Sequence, residues 1–301
     1  MTKRGYDGKV YFSDHNLRSF FIIAATAEAK SELENTGCIA FRWAPWPGVT
    51  NKSAIMVPAL VNGKDSMEFQ LDTGAFRSYI NFNTNPNLHT SLAPSTIKSL
   101  TVAGVRLDTK NIHLNAPNIN DGNTLGIAQL MGTVVVLNLG NQTICVFANK
   151  SVPRAVIEKF AWTAGEFRHG HMLTPGWIGK RQVALMLDTG SAYFELYTSK
   201  ANWQDITSHP SSETTSIVAG NVWGEKVKFH GAHATASLRI GDYGTASPPM
   251  TFYREDDPDI FKSGGYYGIV GLSLFSNSTL AFDFSSEIPR LGILKHSPQS
   301  D

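Results

Sequence analysis

Apolar residues in this chain recur mainly with the two-residue period of half-buried strands, in short runs bounded by Gly, Asn and Pro. Ile55 to Val61 predicts a strand, Asn62-Gly63 a hairpin turn, and Ser66 to Leu71 the returning strand. Ile97 to Val102 and Val105 to Leu114 are β-rich and broken by Ala103-Gly104, and Thr133 to Leu139 and Thr143 to Phe147 follow. The second half repeats the order. Trp177-Ile178, a turn at Gly179-Lys180 and Gln182 to Leu187 form one strand pair. Ser216 to Ala219 and Lys226 to Phe229 form a hairpin candidate, followed by Leu238-Arg239-Ile240, Gly268 to Leu272, Thr279 to Phe284 and Leu291 to Leu294. Little room is left for helical crossovers, so the pattern predicts an all-β, mainly antiparallel protein.

Three segments break this pattern. Ser151-Val152-Pro153 can open a short helix through Lys159. Phe41 to Gly48, with Pro45 and Pro47, predicts an irregular packed strap. Leu17, Phe20, Phe21, Ala24 and Leu33 favour a helix capped by Ser13 and stopped at Gly37, over the alternative of a signal peptide ending in Ala27-Glu28-Ala29.

Composition narrows the function classes. The 301 residues suffice for two moderate cores, and the hydrophobic share of 42% is that of a globular protein. A net charge of +1, with no basic block, leaves no electrostatic footprint for nucleic acid. No apolar run reaches the length of a membrane span, so no membrane partner is expected. Cys38 and Cys145 lack metal-ligand spacing; the expectation is two buried thiols, with one disulfide as the alternative for an exported chain. The compartment is left open, with the cytoplasm slightly favoured.

The candidate chemistry lies in a stretch that occurs twice. Phe69-Gln70-Leu71-Asp72-Thr73-Gly74-Ala75 is matched, 116 residues later, by Leu185-Met186-Leu187-Asp188-Thr189-Gly190-Ser191. A single Asp-Thr-Gly is an ordinary turn. Two behind matching apolar strands are another matter, since each arises by chance on the order of once in several thousand positions. Downstream of each comes an apolar element ending in glycine, Thr124-Leu125-Gly126 and Ile269-Val270-Gly271, and then a trailing strand, Val135 to Leu139 and Leu280 to Phe284.

This pattern resembles the aspartic peptidases, the superfamily that joins pepsin-like and retropepsin-like enzymes. The resemblance covers about residues 53–294 and implies a two-lobe β-barrel fold with a pseudo-two-fold duplication. The expected domains are an N-terminal extension (1–52), a first lobe (53–150), an interlobe connection (151–176) and a second lobe (177–295). It implies catalytic Asp72 and Asp188, supported by Thr73, Gly74, Thr189, Gly190 and Ser191, with Gly126 and Gly271 packed under the loops in a psi-shaped arrangement. Three departures mark a divergent member. Ala75 follows the first triplet, as in retropepsins. Only 54 residues separate Asp72 from Gly126, against 83 from Asp188 to Gly271. The first lobe has no clear flap with its tyrosine, so the better flap candidate is Gly220 to Phe229, with Trp223 at the tip.

The residues explain the chemistry. Without a metal or a covalent nucleophile, peptide hydrolysis needs a base for water and an acid for the carbonyl. Two adjacent carboxylates that share one proton supply both. No cofactor or metal is expected; His169-Gly170-His171 and His230 to His233 read as turn or surface histidines. Ser191 is expected to hold Asp188 ionised, leaving the proton on Asp72. The expected activity is therefore an aspartic endopeptidase, acting as a monomer on a peptide or protein substrate. The alternative is a catalytically inactive peptide-binding or scaffold protein on the same fold.

Overall fold

The computed structural model describes residues 37–81, 97–114, 122–148, 151–210, 216–222, 225–256 and 258–294. The helix expected before Gly37 lies outside them. The chain divides into two compact units, Met1–Cys38 and Ile39–Asp301.

The structure is mostly β, with antiparallel pairing predominant. The first half carries β1 (Cys38–Ala40), β2 (Arg42–Trp46), β3 (Thr50–Val61), β4 (Asp65–Leu71), β5 (Ser78–Ile80) and β6 (Leu100–Val102). It continues with β7 (Val105–Leu107), β8 (Ile112–Leu114), β9 (Asn123–Leu125), β10 (Thr133–Asn138) and β11 (Thr143–Ala148). The second half carries β12 (Phe160–Ala164), β13 (Glu166–Arg168), β14 (His171–Ile178), β15 (Arg181–Leu187), β16 (Leu196–Thr198) and β17 (Ser216–Val222). After these come β18 (Glu225–His233), β19 (Leu238–Ile240), β20 (Tyr243–Gly244), β21 (Met250–Arg254), β22 (Gly268–Val270), β23 (Thr279–Asp283) and β24 (Arg290–Leu294).

One pairing scheme occurs twice. β3 and β4 form a hairpin, β4 runs parallel to β9, and β5 pairs antiparallel with β9 and parallel with β8. Likewise β14 and β15 form a hairpin, β15 runs parallel to β22, and β16 pairs antiparallel with β22 and parallel with β21. A preceding short strand extends each hairpin: β2 on β3, and β13 on β14. The β17–β18 hairpin, docked on β21, belongs to the second half. Its counterpart position in the first half, residues 82–96, lies outside the described residues.

A third sheet, in the order β1-β11-β10-β23-β24-β12, draws strands from both halves. β10 and β23 meet at its centre, Val136 opposite Ala281, and both are buried along nearly their whole length. This explains the unbroken apolar runs there, which have no polar face to alternate with.

Three sequence expectations change. Arg42–Trp46 is a strand, not an irregular strap: the register shifts between Ala44 and Trp46, so Pro45 falls at a bulge, where a missing N–H costs no ladder bond. The helix after Pro153 is only Arg154–Ile157, and no side chain caps it. The cysteines are not thiols; both Cys38 and Cys145 are disulfide-bonded. Their wide separation in sequence carries no signal of this, because β1 and β11 become neighbours only in the folded sheet. Reduction is expected to cost about 2–5 kcal/mol, read as a drop in thermal unfolding temperature with dithiothreitol that Cys145→Ala reproduces without it.

Candidate functional site

Each Asp-Thr-Gly follows a buried strand end. Leu71 pairs with Leu125, and the Asp72 N–H donates to the Leu125 carbonyl at 3.0 Å. Leu187 pairs with Val270, and the Asp188 N–H donates to the Val270 carbonyl at 2.9 Å. The parallel partner strand therefore fixes where each loop begins.

The glycines beneath the loops are there for space. A Cβ on Gly126 would lie 2.5 Å from the Arg77 carbonyl oxygen and 2.7 Å from that of Ala75. On Gly271 it would lie 1.9 Å from the Ser191 carbonyl oxygen and 2.3 Å from that of Phe194. Both glycines have backbone angles that any residue adopts, so close approach alone excludes a side chain.

The two loops are clamped to each other. Thr73 Oγ donates to the Leu187 carbonyl at 2.8 Å and accepts from the Thr189 N–H at 3.0 Å. Thr189 Oγ donates to the Leu71 carbonyl at 2.8 Å and accepts from the Thr73 N–H at 3.0 Å. Both threonines are buried. Four bonds thus cross between loops 116 residues apart in sequence.

The clamp brings the carboxyl groups together. A Cβ on Gly74 would lie 2.5 Å from the Asp188 carboxyl carbon, and one on Gly190 would lie 2.7 Å from that of Asp72. Each carboxyl thus rests over the other loop's glycine, and the two side chains hydrogen-bond to each other. Asp72 Oδ1 accepts from the Gly74 and Ala75 N–H groups at 2.9 and 3.0 Å. Asp188 Oδ1 accepts from the Gly190 N–H at 2.7 Å, and Oδ2 accepts from Ser191 Oγ at 2.8 Å. Burial, and next the Asp188 carboxyl, hold Asp72 well above the usual carboxylate range, outweighing those two backbone bonds.

The pair lines a cavity of about 1060 Å³. Its walls carry Trp46, Met186, Phe194, Phe229 and Ile269 among other apolar side chains. Phe229, on β18, stands 4.7 Å from the ring of Phe194. Trp223, the expected flap tip, lies outside the described residues.

Sequence reasoning missed two groups. His171, read as a turn or surface histidine, is half-buried and lines the same cavity, while His169 occupies the turn before it. Burial lowers the His171 imidazole, opposed by the Asp188 carboxylate and the Gly74 carbonyl. Tyr266 is buried beside it, and its phenol is pushed up to about 12 by burial and by Asp188. His171 begins the strand that hairpins with β15, a placement set by the pairing of the two strands and marked by no local signal.

Among the described residues, no group of three or more His, Cys, Asp or Glu is placed to hold a metal ion, and no helix is long and apolar enough to cross a membrane. Comparison with known proteins gave no matching family model and no matching curated protein.

Proposed function

We propose that this chain is an aspartic endopeptidase of two β lobes, related by an approximate two-fold axis through the paired loops. The observation that carries this reading is the reciprocal Thr73–Thr189 clamp, which sets two hydrogen-bonded carboxyls on the floor of a large cavity. A binding protein has no use for two buried acids held together, since confining like charges costs stability.

Asp188, which accepts from Ser191 Oγ, takes a proton from water, whose oxygen attacks the scissile carbonyl carbon. Asp72 gives its proton to the carbonyl oxygen, forming a tetrahedral diol. Asp188 then passes its proton to the leaving nitrogen, Asp72 recovers one from the diol, and the C–N bond breaks. An extended peptide or protein segment fills the cavity, its apolar side chains against the aromatic wall. The disulfide favours an exported setting over the cytoplasm.

The test is cleavage of a diverse peptide library between about pH 3 and pH 8, a range set by the spread of coupled carboxyl pairs. Cleavage blocked by a transition-state mimic with a central hydroxyl is the expected result; a folded protein that cleaves nothing overturns the reading. Ser191→Ala is further expected to move the acidic limb of the pH–rate profile upward. The hydroxyl donates to a carboxyl oxygen of the pair, and a donated hydrogen bond favours a carboxylate. An unmoved limb would remove Ser191 from this role.

A further inference from the structure

The two halves differ beside their carboxyls in a second place besides Ser191 and Ala75. Met56 stands opposite Gln70 and Leu173 opposite Met186, each two residues before its aspartate. Two positions earlier on those strands stand Ala54 and His171, and both line the cavity. The duplicated fold therefore offers the same position twice, filled once by a methyl group and once by an imidazole.

That imidazole is held in place. The hairpin turn before it is wedged against the first half's loop, where a Cβ on Gly170 would lie 2.9 Å from the Phe76 ring. On the other side, Arg168 donates to the Gly265 carbonyl at 2.7 Å. The His171 ring meets Tyr266 edge to face at 6.2 Å, and its Nδ1 is buried with no hydrogen-bond partner among the described residues.

We propose that His171 is a positioning residue that sets the acid edge of the site's working range, its imidazolium holding the Asp72–Asp188 pair singly ionised. The proposal rests on the peptidase reading. The groups facing His171 are Asp188 and the Gly74 carbonyl from the two loops, His169 from its own turn, and Tyr266 from the segment before β22. Asp72 joins through its bond to Asp188. Arg42 and Arg254 line the same cavity but are ion-paired to Glu68 and Asp256, and Arg168 is paired to Glu166. His171, which lines the cavity beside Asp188 along with His169, carries a charge that can be switched within the range where carboxyls and imidazoles titrate.

The direction follows from charge. A cation beside Asp188 favours the anion, so the pair keeps its single charge to lower pH. Once the imidazole is neutral, at pH above its lowered value, the effect vanishes. His171→Gln retains polar atoms without the charge, and His171→Ala reproduces the Ala54 position.

Both variants are expected to raise the acidic limb of kcat/KM by about one pH unit, a tenfold loss on that limb. KM should barely change, and the profiles should rejoin the wild type above about pH 7, where a free imidazole is neutral. Superimposable profiles for His171→Gln and wild type would overturn the proposal. A second readout needs no turnover: the NMR titration of His171 in the wild type and in Asp188→Asn. The His171 pKa is expected to fall when the carboxylate is removed; an unchanged titration overturns the coupling. A protein that cleaves nothing, yet shows that fall, defeats the peptidase reading while leaving the His171–Asp188 coupling in place.

Discussion

On the proposed peptidase reading, Asp72→Asn and Asp188→Asn are each expected to reduce peptide cleavage by at least about a thousandfold, because that mechanism uses the two acids as one unit. The loss should not come from unfolding. An asparagine at position 72 still accepts from the Gly74 and Ala75 N–H groups and can donate toward Asp188, as the protonated acid does. Stability should move the other way. The folded Asp72 titrates above its unfolded value, so its favourable contribution is complete below about pH 4 and is lost as pH rises through the folded value. Asp72→Asn removes that loss and is expected to melt at or above the wild-type temperature at pH 7. Thermal unfolding from pH 3 to pH 8 beside the cleavage assay separates the two effects. Cleavage persisting at wild-type rates in either variant would exclude a carboxyl-pair mechanism.

The second large effect is on the clamp. Thr189→Val keeps the side chain's shape and deletes one hydroxyl, leaving the Thr73 N–H and the Leu71 carbonyl buried without that partner. Each orphaned group costs about 1–3 kcal/mol, so denaturant unfolding is expected to show a loss of roughly 2–6 kcal/mol. Activity should fall further than stability accounts for, since the same bonds set the distance between the carboxyls. Adding Thr73→Val should cost less than the sum of the single changes, because both hydroxyls serve one network. Full additivity would mean that the two hydroxyls act independently and not as one network.

Much of the β architecture was legible in the chain. The alternation in Met67, Phe69 and Leu71 marked β4, and Asn62-Gly63 marked its hairpin with β3. The all-apolar runs at Val134 to Leu137 and Leu280 to Phe282 marked strands that are buried on both faces. Proline misled at Arg42–Trp46, because a bulge that accommodates Pro45 depends on the partner strand and not on the segment itself.

For the candidate site, the duplicated Asp-Thr-Gly and the two downstream glycines were visible as text, and their residue types already stated what each position tolerates. The chain by itself therefore determined the strand content, the repeat, and the identity of the paired acids. Only the tertiary structure decided the rest: that Thr73 and Thr189 exchange bonds, that Cys38 and Cys145 are oxidised, and that His171 faces Asp188 while Ala54 takes the equivalent place in the other half. Strand periodicity is a local property, set by which face of a pleat meets the core. Contacts between residues more than a hundred positions apart depend on how whole sheets dock, and no local pattern encodes that.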